Sequence, residues 1–334
     1  MKIEIKYNEN IFYVFFILNL IGYRDDNGLP MHFLRKKILD AMKKYEDNKY
    51  VKKLKEINDK YEIYHSYLLT ISIRSDIGFN NFPEDENHLY KKDIKIHNRF
   101  LKYLNQFLNS TDISKYFKEE IEPELTKIVI DMNNEIKELP IDKEFNKYWG
   151  YLIDANGVVY INPFDAHGRA YGLQINNEII SVTGTNDYNP DDDSVFYYSD
   201  MLVCSYIHEA SHMYIDKYIN EIAKKYARGV KRAFNNVLSK LDNNQRYTVI
   251  NHYNHLKGYI EESIVRVSES QILTPAIFKN IWSEEFMKRE SEYKLNEQIS
   301  QGFIFSNQII EILKENISME ERIEKIYTMF INLK

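Results

Sequence analysis

Apolar residues recur at intervals of three and four along residues 9–138, and that spacing predicts a run of helices rather than strands. Ile38, Met42 and Tyr45 make one such stripe, and Ile94, Phe100, Leu101, Leu104, Phe107 and Leu108 make another. Residues 11–23 are apolar almost throughout, which predicts a helix buried on all sides. Asn27-Gly28 with Pro30 marks a break, and Thr111 is placed to cap a later helix. At Leu139-Pro140 the pattern changes. Residues 149–154, 158–162, 171–175 and 178–184 read as short strands, separated by Ala155-Asn156-Gly157, by residues 163–169 and by Asn176-Asn177. The Asn-Gly and Asn-Asn pairs suit tight turns at positive φ, so these runs predict three or four antiparallel strands in a small sheet. Beyond the acidic loop 191–193 the helical spacing returns and holds to the end. Ser199 or Asp200 is a cap there, Thr274-Pro275 an N-cap and first-turn pair, and Ser318 with Glu321 a capping box. The order helices, small sheet, helices predicts an α+β fold that is mostly helical. It divides into a helical N-terminal region, 1–140, and a second region, 141–334, holding the sheet at 148–185 and the later helices.

Composition agrees with a packed, helix-rich chain. Of 334 residues, 44% are hydrophobic and 14% aromatic, while Gly (11) and Pro (7) are scarce. The net charge is -6, and the lysines at 36, 37, 43, 44, 52, 53 and 55 alternate with Asp40, Glu46, Asp47, Glu56 and Asp59. That is a solvated helix face, and no nucleic-acid partner is expected. The single cysteine, Cys204, rules out an internal disulfide and a CxxC metal site. Residues 11–23 are too short to span a bilayer. Glu4 and Glu9 before them, and Asp25 and Asp26 after them, do not fit a secretory signal. A cytoplasmic chain without a transmembrane segment is therefore expected, with export as the alternative.

The chemistry is carried by His-Glu-Ala-Ser-His at 208–212. On a helix, His208 and His212 share one face and can reach one zinc ion. Glu209 lies about 100° further round, placed to hold a water without ligating the metal. Zinc lowers the pKa of such a water to about 7, and the glutamate takes its proton as it attacks a carbonyl. An H-E-x-x-H arises by chance in roughly 2% of sequences of this composition, so its context matters. Residues 201–207 and 213–215 are mostly apolar and free of helix breakers, as a buried helix requires. A third ligand is needed. Ile215 and Tyr218 stand where a metzincin would have Gly and His, which removes that class. The stretch at 259–266, Tyr-Ile-Glu-Glu-Ser-Ile-Val-Arg, sets Glu261 and Glu262 among apolar residues, where an unpaired charge is costly. His252 and His255 compete as ligands or as donors to an oxyanion, as do Tyr253 and Tyr259 in the latter role. Arg266, one turn after Glu262, can pair with that carboxylate or orient substrate.

With these residues the chain resembles the gluzincin clan of zinc metallopeptidases, hydrolases whose zincin-like catalytic domain takes a Glu from a second helix as third ligand. His208, Glu209 and His212 match, and Glu262 follows His212 by fifty residues. In that pattern the ligand Glu follows a polar residue and precedes a small one, which favours Glu262 over Glu261. In thermolysin-like members an Asp at the position of Arg266 supports a zinc-bound His, so the arginine departs from the pattern. The resemblance also implies an edge strand that aligns an extended peptide, here Glu178, Ile179, Ile180, Ser181 and Val182. The chain is similar as well to poorly characterised bacterial zincin-like proteins, through its apolar helix ending in Gly-Tyr (11–23) and the Glu-Ser-x-Val-Arg segment at 262–266. The implied function is zinc-dependent hydrolysis of a peptide or protein substrate. The alternatives are a narrow processing enzyme or sensor with one protein partner, and a helical interaction protein with a chance motif.

Overall fold

The structure is a computed structural model that describes residues 3–22, 30–61, 63–83, 91–189, 191 and 194–334. The expected break at Asn27-Gly28, the end of the apolar run at Tyr23 and most of the acidic loop fall outside these residues. The fold is α+β and mostly helical, with 66% of the chain in helices beside a small mixed sheet. Contacts divide it into two compact units. One joins residues 3–137 to 155–206, and the other joins 138–154 to 207–334. The sheet thus groups with the N-terminal helices, whereas the boundary drawn at 140 had set it with the later ones.

The reason is a strand that sequence reading missed. Ile3–Lys6 (β1) pairs in parallel with Asn156–Ile161 (β2), tying the start of the chain to its middle. Ala170–Ile175 (β3) and Glu178–Thr183 (β4) form the expected hairpin, with Asn176 at φ 53 in its turn. The order is β1-β2-β4-β3, with β4 parallel to β2, so the sheet is mixed rather than antiparallel. β4 has a strand on each side and is not an edge. Its backbone is already paired, so the expectation that residues 178–182 align a substrate is overturned. β1 is one edge, and there the Asn133 amide takes the place of a neighbour, donating to Ile5 O at 2.8 Å and accepting from Ile5 N at 2.9 Å.

In the same unit, Glu9–Leu20 is the buried helix expected from residues 11–23, with residues 11 to 18 each 1% exposed or less. Its three phenylalanines contribute about 1.5–3 kcal/mol each through burial. Among the described residues no helix is long and apolar enough to cross a membrane. A short two-stranded ribbon, Asp187–Asn189 with Ser194–Phe196, completes this unit's strands among the described residues. Thr111 does not open a helix; its hydroxyl donates to Phe107 O at 2.9 Å and closes the preceding one.

The second unit holds residues 149–154 differently from the strand expected. Ile141–Trp149 is a helix, ended by Gly150 at φ 77, a left-handed conformation that other residues adopt only with strain. Residues 151–153 then wrap the ring of Tyr214: Tyr151 donates to Tyr214 O at 2.6 Å, and Ile153 N donates to the Tyr214 hydroxyl at 3.1 Å. The Trp149 ring stacks on Tyr214 at 5.9 Å, and Tyr218 donates to Trp149 O at 2.9 Å. Asn156-Gly157 begins β2 instead of making a turn. The capping box of Ser318 and Glu321 forms as expected. Thr274-Pro275 does not start a separate helix. Leu256–Val267 runs through a π turn, Ser268–Leu273, directly into Thr274–Phe278. The wider π turn accommodates a proline that has no N–H to donate. The same sequence of events recurs at Phe117–Ile121, another π turn just ahead of Pro123.

Candidate metal centre

The site lies wholly within the second unit. His208 and His212 sit on the helix Ser199–Lys225, one turn apart, with ring centroids 5.2 Å from each other. The contacts of Tyr214 and Tyr218 described above brace this helix just beyond His212. Glu262 sits on Leu256–Val267, and its carboxylate is directed at both imidazoles. Oε1 is 3.8 Å from Nε2 of His208, and Oε2 is 3.4 Å from Nε2 of His212. The donor atoms of the three residues all lie within 4.8 Å of one another. Ligands about 2.05 Å from a tetrahedral ion stand about 3.3 Å apart, so this spacing fits a small divalent cation.

The other nitrogen of each ring is equally fixed. Nδ1 of His208 donates to Glu269 at 3.2 Å, and Nδ1 of His212 donates to Glu261 at 3.1 Å. A carboxylate only accepts, so each Nδ1 carries a proton; Nε2 faces the Glu262 carboxylate as a donor, and a metal ion would displace that proton to take the lone pair. Glu261 is therefore the partner of His212 on the side away from Glu262, and Glu262 belongs with the two histidines in the group that could hold a metal ion. Glu269 was not foreseen. It lies seven residues after Glu262, two turns along and so on the same helix face, which is the signal that would have found it. The π turn that ends at Leu273 carries it.

Burial alone lowers the pKa of both histidines, but the carboxylates outweigh it. Glu269, Glu262 and Glu209 raise that of His208, and Glu261, Glu262 and Glu209 raise that of His212 to about 10. Burial likewise works against the Glu262 carboxylate, yet His212, His208 and Arg266 hold it well below the usual carboxylate range. Among the described residues, Glu209, Glu261, Glu262 and Glu269 are set against the cations Arg266 and Lys257, which lies 3.9 Å from Glu261. With neutral imidazoles, two negative charges remain in excess, and a divalent cation balances them.

Arg266 pairs with Glu262, its Nε donating to Oε1 at 2.6 Å. Glu209 is half-buried and makes no hydrogen bond or ion pair among the described residues. Tyr253 lies close enough to Arg266 and Glu262 to feel their charges, and burial together with the Glu262 charge pushes its pKa up to about 12. No family model, curated protein or solved structure matches this chain. The geometry therefore stands on its own.

Three other sequence candidates fall elsewhere. His255 is an exposed helix cap whose Nδ1 accepts from Gly258 N at 2.8 Å. A Cβ on Gly258 would stand 2.8 Å from that ring, so a side chain there would push the ring off its cap. His252 is exposed at the end of Asn243–His252. Tyr259 is fully buried and donates to Gly302 O at 2.8 Å, which leaves its hydroxyl proton unavailable to a substrate.

Two expectations follow. Glu269→Gln and Glu261→Gln each remove one orienting carboxylate and are expected to weaken metal affinity about 10- to 100-fold, as read by competition with a chelating dye. Unchanged affinity in both would show that these contacts do not tune the centre. The second concerns pH. A histidine with a raised folded-state pKa stabilises the fold fully below about 6.5 and loses that contribution as pH rises through its folded pKa, here to about 10 for His212. Metal-stripped protein is thus expected to melt at progressively lower temperature from pH 6.5 to 10. Added metal, which displaces protons, is expected to restore more stability at the alkaline end. A flat melting profile in stripped protein would contradict this.

Proposed function

We propose that this protein is a zinc-dependent hydrolase acting on peptide bonds, with His208, His212 and Glu262 as the ligands of one zinc ion and Glu209 as general base. The convergence of two Nε2 atoms and a buried carboxylate, each Nδ1 held by its own glutamate, is the observation that carries this reading. A chance motif in an interaction protein has no reason to bring a carboxylate fifty residues away onto both rings. The donor set of two nitrogens and one oxygen, with a fourth position to spare, is that of catalytic rather than structural zinc. Bound zinc supplies Lewis acidity to a water and to a carbonyl oxygen.

The chain's own residues do the rest. Glu209, adjacent to His208 and without another partner among the described residues, accepts the proton of the attacking water and returns it to the leaving amine. Tyr253 donates its hydroxyl proton toward the developing oxyanion; its raised pKa keeps that proton in place at neutral pH. Glu269 and Glu261 keep the rings in the tautomer and orientation that ligation requires.

The test is metal analysis of the purified protein and of His208→Ala, followed by incubation with unfolded proteins and peptide libraries. Stoichiometric zinc in the parent, its loss in the variant and zinc-dependent cleavage are expected. Absence of stoichiometric zinc from the parent would remove the proposal. Zinc without cleavage of any library member would favour a protein that acts on one partner only.

A further inference from the structure

The hydrolytic scheme leaves Arg266 without a role, although it is the most firmly held cation at the centre. It follows Glu262 by one helical turn, and its side chain is 23% exposed. Nε donates to Oε1 of Glu262 at 2.6 Å, and Nη1 donates to Oε1 of Gln301 at 2.8 Å. Gln301 is steadied in turn through its own donation to Glu297 at 3.3 Å. The guanidinium lies 4.7 Å over the ring of Phe303. Two fixed acceptors and an aromatic floor give the planar fork a single orientation. An exposed i,i+4 pair has no such fixtures.

The consequence falls on Glu262. Its Oε1, 3.8 Å from Nε2 of His208, already receives a strong charged donor, which leaves Oε2, 3.4 Å from Nε2 of His212, as the less engaged oxygen. A carboxylate with both oxygens unengaged can chelate an ion through both and fill an extra position on it. In one whose Oε1 is held by a guanidinium, that oxygen has given up a lone pair and part of its charge, so the other oxygen is the better donor to an ion. Glu269 and Glu261 already support the two histidines. Position 266 is thus released for a different task.

We propose that Arg266 is a positioning residue that holds Glu262 to single-oxygen coordination, keeping one position on the metal ion open to water or substrate. This rests on the reading of His208, His212 and Glu262 as zinc ligands. The pairing also draws negative charge from Glu262 toward the guanidinium, so the ion keeps more of its positive charge for the substrate.

Cobalt(II) tests this directly, because its visible absorption is intense with four ligands and weak with five or six. The full chain is loaded with cobalt as the parent, as Arg266→Met and as Arg266→Lys. The parent is expected to give the intense four-ligand spectrum. Arg266→Met is expected to lose intensity per bound ion as Glu262 takes two positions, and Arg266→Lys, which keeps one charged donor, to restore it. A spectrum per bound ion that is the same in parent and Arg266→Met overturns the proposal. So does a variant that merely binds cobalt more weakly with that spectrum intact, since this is the mark of a structural residue. Should Arg266→Met fail to fold, Gln301→Leu removes the second anchor of the fork and is read by the same criterion. A parent that binds no cobalt refutes the metal centre, and the clamp with it; a parent that binds while the variants leave the spectrum unchanged refutes the clamp alone.

Discussion

Glu209→Gln is expected to abolish peptide hydrolysis while leaving zinc in place. The amide keeps the shape of the side chain but cannot take the proton of the attacking water. Loss of a general base costs about 10²–10⁴-fold in rate. In the zinc-loaded protein stability should hardly change, within about 0.5 kcal/mol, because the Glu209 side chain makes no hydrogen bond or ion pair among the described residues. Three measurements together decide the matter: the rate on whichever peptide the library yields, zinc per chain, and the melting temperature. Full activity in this variant would refute the base assignment. Inactivity accompanied by loss of zinc would instead make Glu209 a ligand.

Glu262→Ala is expected to have the largest effect on the protein as a whole, because it removes two things at once. Metal binding loses its only buried carboxylate, 8% exposed, and Arg266 loses the partner of its Nε. An uncompensated buried charge typically costs about 3–5 kcal/mol. Denaturant unfolding with chelator present isolates that cost, since bound metal would otherwise add its own stabilisation. Glu262→Gln serves as the comparison. Its amide oxygen can still accept from Arg266, so it should lose metal affinity while keeping more of the stability. Stoichiometric zinc in Glu262→Ala would show that the third ligand lies elsewhere.

Much of the centre was legible in the sequence, and the residues show why. His208, Glu209 and His212 lie within five positions, so helical geometry alone places them. Glu262 was found because two adjacent glutamates among apolar residues demand a partner. Which of the pair faces the metal position rested on a likeness to other proteins, and in the structure each glutamate takes a different nitrogen of His212. Glu269 was marked in the sequence only by its place two turns beyond Glu262, and it is packing through the π turn that brings it to Nδ1 of His208. Strand order was the larger miss. The hairpin at 170–183 follows from a local turn, whereas the pairing of β1 with β2 joins residues more than 150 apart. No periodicity within either segment encodes it.

The sequence by itself thus determined the helices, the Asn176 turn, the capping box at Ser318 and the face shared by His208 and His212. Each depends on side chains within a turn or two of one another. Only the tertiary structure decided that β4 is an internal strand and cannot take a substrate, that the sheet groups with the N-terminal helices, and that four glutamates divide the work around two imidazoles. Those outcomes depend on contacts between segments far apart in the chain. Burial in one place gives each carboxylate its partner, and packing alone determines which residues share that place.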